Sequence, residues 1–198
     1  SEMTIESGTA VRSSDWLGRI VCGDNTEVLS GFPDACIDLV VTSPPYDNLR
    51  LYGGHSWNFE TLAAQLVRVL KPGGVIVWVV ADATVDGSET LTSMRQAIHF
   101  KDVCGLNVHD TMIYASDKPP MNHNRYQQTW EYAFVLAKGN PKSWNPLMEA
   151  TITAGTVRQR GAGNKTCEDA RNGSDQPGRA TVVKEMKLRR NIWQYNPA

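Results

Sequence analysis

Residues 75–81 read V-I-V-W-V-V-A, an apolar run with no charge and no turn former. A half-exposed strand alternates apolar and polar side chains. An unbroken apolar run needs cover on both faces, as a central strand of an α/β sheet has. The flanking residues agree. Phe59, Leu62, Ala63, Leu66, Val67 and Leu70 recur at helical spacing after Asn58, a candidate N-cap, and Lys71-Pro72-Gly73-Gly74 stops that helix. Further strands are expected at residues 19–23, 36–42, 107–115 and 130–137, the second of them buried. A short helix is expected after Asp24, capped by Asn25 or Thr26 and running through Glu27, Val28 and Leu29. Another is expected to be capped by Ser88 and to run past Met94 and Ile98 to Lys101. Strands alternating with helices predict a mostly parallel sheet.

With 198 residues the chain suits one domain, or a domain with an appendage. Its 41% hydrophobic and 21% charged residues are ordinary for a globular protein. No apolar run reaches the roughly 18–20 residues of a membrane span. Ser1-Glu2-Met3 lacks the apolar core of a secretory signal, and Met3 reads as a start residue behind a short remnant. Cys22, Cys36, Cys104 and Cys167 form no C-x-x-C pair, which argues against structural zinc and for a reducing compartment. His55, His99, His109 and His123 show no metal-ligand spacing, so no metal site is expected.

The net charge of −1 conceals an asymmetry. Residues 1–150 carry 11 Lys/Arg against 17 Asp/Glu; residues 151–198 carry 9 against 4. A basic segment on an acidic body points to phosphate contact by the segment, or to a solvated tail. Residues 151–181 are rich in Gly, Asn, Arg and Thr and show little periodicity, so a flexible stretch or a small irregular lobe is expected there.

The second expected strand runs into Thr42-Ser43-Pro44-Pro45-Tyr46. Proline fixes φ and has no N–H, and Pro45 biases Pro44 towards extended geometry. The carbonyls of Ser43 and Pro44 are thereby held in nearly fixed directions beside an aromatic ring. That arrangement suits a planar substrate with an amino group, although a strand ending in a diproline turn would read the same way.

Motif and context resemble the β-group DNA amino-methyltransferases of bacteria and phages, which methylate cytosine N4 or adenine N6. The resemblance covers most of residues 17–145. Ile20-Val21-Cys22-Gly23-Asp24 is similar to the strand and acidic residue before the catalytic strand. Asp38 to Tyr46 (D-L-V-V-T-S-P-P-Y) is similar to the catalytic motif. Leu66 to Gly74 (L-V-R-V-L-K-P-G-G) and Trp130 to Leu136 (W-E-Y-A-F-V-L) are similar to a later helix-and-stop and a late strand. L-K-P-G-G alone is common to many methyltransferases; S-P-P-Y is far more specific.

The resemblance implies a Rossmann-like sheet that binds S-adenosylmethionine, mostly parallel with an antiparallel last strand, incomplete in this chain and carrying an irregular basic recognition segment. It implies a catalytic domain at 17–145 behind an N-terminal extension at 1–16. A recognition or flexible basic segment follows at 146–190, and 191–198 is a lead-in to a further part. Ser43 and Pro44 would accept the amino hydrogens of a base flipped out of duplex DNA, with Pro45 and Tyr46 completing the catalytic motif and Tyr46 stacking on the base. Asp24, Asn25, Thr42 and Ser43 are the implied cofactor contacts; Asp24 read alone is also an ordinary helix cap. Asp82 sits similarly after 75–81. Arg125, Tyr126, Arg158, Arg160 and Lys165 are candidate DNA contacts, and a solvated loop reads equally well around Arg125. Ser at the first motif position favours cytosine N4. The absence of a Pro-Cys pair disfavours carbon methylation.

One departure stands out. The family's D-P-F-x-G-S-G-like cofactor turn is absent from the sequence. The strands it belongs to would lie between residues 19–23 and 36–42, so apolar faces should stay open. The remainder is expected from a longer protein or a second chain, and a homodimer stays open too. A non-catalytic DNA-binding relic, or an α/β enzyme on another nucleotide-like substrate, are the rival readings. A cytoplasmic, bacterial or phage-infected setting is implied, with restriction-modification as the biological context.

Overall fold

The computed structural model describes residues 16–45, 57–116, 125–159 and 180–195. Two compact units divide the chain: Trp144–Arg190, and the remainder. The larger unit is built on a five-stranded sheet in the order β1-β2-β6-β5-β11. Its strands are β1 (Ile37–Thr42), β2 (Leu70–Val80), β5 (Asn107–Ser116), β6 (Trp130–Ala137) and β11 (Ile192–Tyr195). β1 pairs parallel to β2, and β11 parallel to β5; β6 is antiparallel to both of its neighbours. Four strands therefore run one way and β6 the other, so the sheet is mostly parallel as expected. Its antiparallel strand, however, is β6 and not the last strand, since β11 runs parallel to β5. β11, unforeseen as a strand, pairs Trp193 with Tyr114, and Asn191 Nδ2 donates to the Thr111 carbonyl at 3.1 Å.

Helices α1 (Asn25–Ser30), α2 (Phe59–Val69) and α3 (Thr92–Asp102) feed one apolar cluster on one sheet face. Leu62 and Leu66 of α2, Phe100 of α3, and Ile76, Trp78, Phe134 and Leu136 of the sheet are buried there, with Leu29 of α1 against them. Trp78 is fully buried and its Nε1 donates to Gln96 Oε1 at 2.9 Å, which satisfies the polar end of the ring. Phe100 packs edge-on against it, and Phe59 lies tilted to it and edge-on to Phe100.

The opposite face overturns the two-sided cover expected from 75–81. Val75, Val77 and Val79 are only half-buried among the described residues. β1 is the outermost described strand on its side and is not the buried strand expected: Leu39 is 57% and Val41 65% exposed. In residues 19–23 only Val21 makes a β-bridge, so the strand expected there is not formed among the described residues.

Two further expectations need correction. Ser88 caps no helix; Asp86 and Gly87, both at positive φ, turn a hairpin between β3 (Thr84–Val85) and β4 (Ser88–Glu89). Helix α3 begins at Thr92, and Asp82 caps it by accepting from Ser93 N at 2.8 Å and Ser93 Oγ at 2.6 Å. Strand β2 also begins at Leu70, ahead of the glycines, because Leu70 pairs with Ile37 before the register shifts. Gly73 has φ +79, and a Cβ there would lie 2.5 Å from Lys142 Cγ.

Trp144–Arg190 contains two short ladders, β7 (Met148–Ala150) with β10 (Met186–Leu188), and β8 (Val157–Gln159) with β9 (Ala180–Val182). Most of residues 151–181, for which a flexible stretch or an irregular lobe was expected, lies outside the described residues. No helix among the described residues is long and apolar enough to cross a membrane.

Candidate functional site

The carboxyl ends of β1, β2 and β5 and the start of β6 lie along one sheet edge, where open α/β sheets take ligands. The strand-to-turn passage after Thr42 sits there. Pro44 is buried and anchors the turn, while Ser43 is exposed and Pro45 half-buried. The rigid turn thus presents Ser43 outward on a fixed base. Tyr46, expected beside it, lies outside the described residues.

Asp24, and not Asn25 or Thr26, is the N-cap of α1, because its side chain reaches the first free N–H groups while Asn25 and Thr26 already lie inside the helix. Its Oδ1 accepts from Thr26 N at 2.9 Å and Glu27 N at 3.1 Å, two of the helix's otherwise unpartnered donors. Asn25 and Thr42 line one cavity of about 270 Å³ between β1, α1 and α2. Its remaining wall is aliphatic: Val21, Val28, Leu29, Val40, Leu62 and Leu66, with Gly23 at the turn. A Cβ on Gly23 would sit 2.9 Å from Val28 Cγ2, so the chain passes close to the helix there. The cavity is slightly below the usual range of about 300–1,000 Å³ for small-molecule sites and has few polar groups, which suits a flat, largely apolar ring system.

Arg68 holds this corner together. Its guanidinium donates to the carbonyls of Leu29 at 2.7 Å and Phe32 at 2.8 Å, to Gln65 Oε1 at 2.9 Å, and to Asp34 at 2.6 Å. One fork ties α2 to the passage from α1 into β1. Lys138 Nζ similarly donates to the carbonyls of Val67 and Leu70 at the end of α2, at 2.8 and 3.0 Å. Neither role is readable from sequence, because the carbonyl partners are 36 to 71 residues away.

Arg125 and Tyr126 lie shortly before β6, on the same edge, and both are exposed. Arg125 donates to the Gly87 carbonyl of the hairpin turn. Arg158 lies in β8 of the smaller unit, with its side chain outside the description; Arg160 and Lys165 lie outside the described residues altogether. Asp82, the other acidic candidate, has both oxygens engaged by Ser93.

Burial pushes the thiols of Cys36 and Cys104 up from their ordinary value of 9.0, so both are protonated at neutral pH. Neither serves as a thiolate nucleophile. Tyr132 is raised as well, by burial and by the carboxylates of Asp82 and Glu89, and stays a neutral phenol.

Comparison with known proteins fits this geometry. A family model of the N6/N4 methylase type, described as DNA methylase, matches residues 37–197. The orphan methyltransferase M.BamHII of Bacillus amyloliquefaciens is 45% identical over 162 residues, 81% of this chain and 60% of that protein. M.PvuII of Proteus hauseri, a type II methyltransferase, is 32% identical over 99 residues, 45% of this chain and 29% of its own length. The solved PvuII DNA methyltransferase, described as cytosine-N4-specific, shares the fold. It aligns with a TM-score of 0.54 at 17% identity, over 90% of this chain and 57% of that one. The chain thus spans about 60% of the length of M.BamHII.

Proposed function

Because this chain belongs to the DNA methylase family of the N6/N4 type, we propose that it handles the target base in methyl transfer from S-adenosylmethionine to an exocyclic amino group of duplex DNA, cytosine N4 before adenine N6. The observation that carries the reading is the rigid turn after Thr42, set at the ligand-binding edge with Pro44 buried and Ser43 exposed.

An exocyclic amino nitrogen is a weak nucleophile because its lone pair is delocalised into the ring. The Ser43 side chain and the Pro44 carbonyl accept its two hydrogens and draw the lone pair out of conjugation. Proline geometry keeps these acceptors from turning away, so little reorganisation is needed as charge shifts. Tyr46 stacks on the flipped base and fixes its plane. S-adenosylmethionine, when bound, supplies the electrophilic sulfonium methyl. Asn25 and Thr42, with the aliphatic wall between them, would hold its adenosine end, and Asp24 stands at the lip. The described residues form no glycine-rich cradle for the methionine end. Positioning by this chain does the rest.

The outermost place of β1 and its exposed Leu39 and Val41 support a further segment pairing there, from the same protein or a second chain. The net of +5 in residues 151–198 supports a DNA partner, and the family setting supports a cytoplasmic restriction-modification role. Tritiated methyl transfer to duplex DNA, followed by nucleoside mass spectrometry, tests the reading. N4-methylcytosine is the expected product; N6-methyladenine would move the base assignment, and transfer that survives both Ser43→Ala and Tyr46→Ala unchanged would remove the site.

A further inference from the structure

The hairpin that follows β2 has little of its own to fix its direction. β3 and β4 are joined by two residue pairs, Thr84 with Glu89 and Val85 with Ser88, and a ladder that short is marginal in water. The side chains from Thr84 to Glu89 are all exposed, Val85 by 56%. The base of the hairpin is anchored: Ala83 is buried, Thr90 N donates to the Ala83 carbonyl at 2.9 Å, and Asp82 is bonded to Ser93. The tip is held from outside. Arg125, 38 residues further along the chain, donates to the carbonyl of Gly87 in the turn.

Sheet order shows what that hold does. β1 and β2 run parallel, and β6 starts at the edge where they end. The order β1-β2-β6 therefore sets the hairpin between the turn that carries Ser43 and the residues leading into β6. A hairpin free at its tip would lean either way, and Arg125 draws it towards β6. The base of the hairpin agrees, since the carboxylates of Asp82 and Glu89 lie near enough to Tyr132 of β6 to raise its phenol. A guanidinium suits the task, because it stays charged and offers several donors in a fixed plane.

We propose that Arg125 is a positioning residue for the reaction. Its hold on Gly87 keeps the 84–89 hairpin beside the start of β6 and off the Ser43 turn, leaving the space before Ser43 to the target base. This rests on the methyl-transfer reading, and it gives Arg125 a task other than the DNA contact expected from sequence.

The test compares the full chain with Arg125→Ala and Arg125→Lys. In Arg125→Ala, hydrogen exchange read by mass spectrometry should speed up about fivefold in residues 84–90, the share of one hydrogen bond, and stay unchanged in α3. Duplex binding across a salt series should keep its slope of log affinity against log salt, because no phosphate contact is lost. Methyl transfer at saturating duplex should slow about tenfold with the KM for DNA unchanged. Arg125→Lys keeps a donor and should recover part of the exchange protection and of the rate. Hairpin exchange unchanged in Arg125→Ala overturns the proposal. So does a salt slope lower by about 1, which makes Arg125 a phosphate contact, or a higher KM with the rate unchanged. Wild type that transfers no methyl group counts against the methyltransferase reading, and exchange then decides whether Arg125 holds the hairpin. If circular dichroism shows Arg125→Ala unfolded, Arg125→Gln, which lacks the charge and the reach, takes its place under the same criteria.

Discussion

Ser43 and Asp24 separate chemistry from scaffolding at the scale of single residues. Ser43 is exposed on a turn that Pro44 already anchors. Ser43→Ala should therefore change stability by less than about 1 kcal/mol while lowering methyl transfer about a hundredfold, the usual order for one preorganised polar group. Melting curves and single-turnover assays check the pair of values. Asp24 does two jobs under the proposed reading: it caps α1 and faces the cofactor. Asp24→Ala should cost about 1 kcal/mol through the lost cap. Asp24→Ser keeps a capping oxygen and removes the charge, so it should retain the melting temperature and weaken S-adenosylmethionine binding by calorimetry. Equal cofactor binding in Asp24→Ser would leave the residue a cap and nothing more.

Titration at Cys36, Cys104 and Tyr132 also belongs to this scale. Each is raised in the folded chain relative to its ordinary value, so folding favours the protonated form. That stabilisation is complete below the unfolded values of 9.0 and 10.0 and is lost as pH rises through the higher folded ones. Urea midpoints should be flat through neutrality on account of these groups and fall in alkali. Cys104→Ala should reduce the alkaline fall.

Among the elements, α2 and β2 carry the structure. Trp78 is fully buried between α2, α3 and β6, and Trp78→Ala should cost about 3–5 kcal/mol, read from denaturant midpoints. Arg68→Met keeps the length of the side chain but leaves the carbonyls of Leu29 and Phe32 without their donor. A loss of about 2 kcal/mol is expected, together with weaker cofactor binding, because the passage from α1 to β1 loses its tie. The extent of α2 was legible: Asn58 caps it as its side chain and position require, accepting from Thr61 N at 2.9 Å. The start of α3 was not. Asp82 caps it across 11 residues, and Ser88, which looked like the cap, went to the hairpin that Asp86-Gly87 turns more readily.

Across the whole molecule, the sheet is covered by helices on one described face and open at β1. Added polypeptide carrying the glycine-rich cofactor turn should raise the melting temperature, quench binding of a hydrophobic dye, and strengthen cofactor binding together. Val41→Lys, at the exposed face of the outermost described strand, should leave the chain alone as stable as before and block that rescue. Rescue untouched by Val41→Lys would place the added segment elsewhere.

Local chemistry settled much in advance. Diproline after a β-branched strand fixes a turn, and helical spacing with Asn58 ahead fixes α2, since these depend on neighbours in sequence. Tertiary structure alone decided that residues 75–81 are covered by helices on one described face, that β11 returns to pair with β5, and that Arg68 ties α2 to α1 and to the passage into β1. It alone brought Arg125 to the hairpin turn 38 residues before it. Such features depend on which distant segments meet, and a sequence pattern states that a face is apolar without stating what covers it.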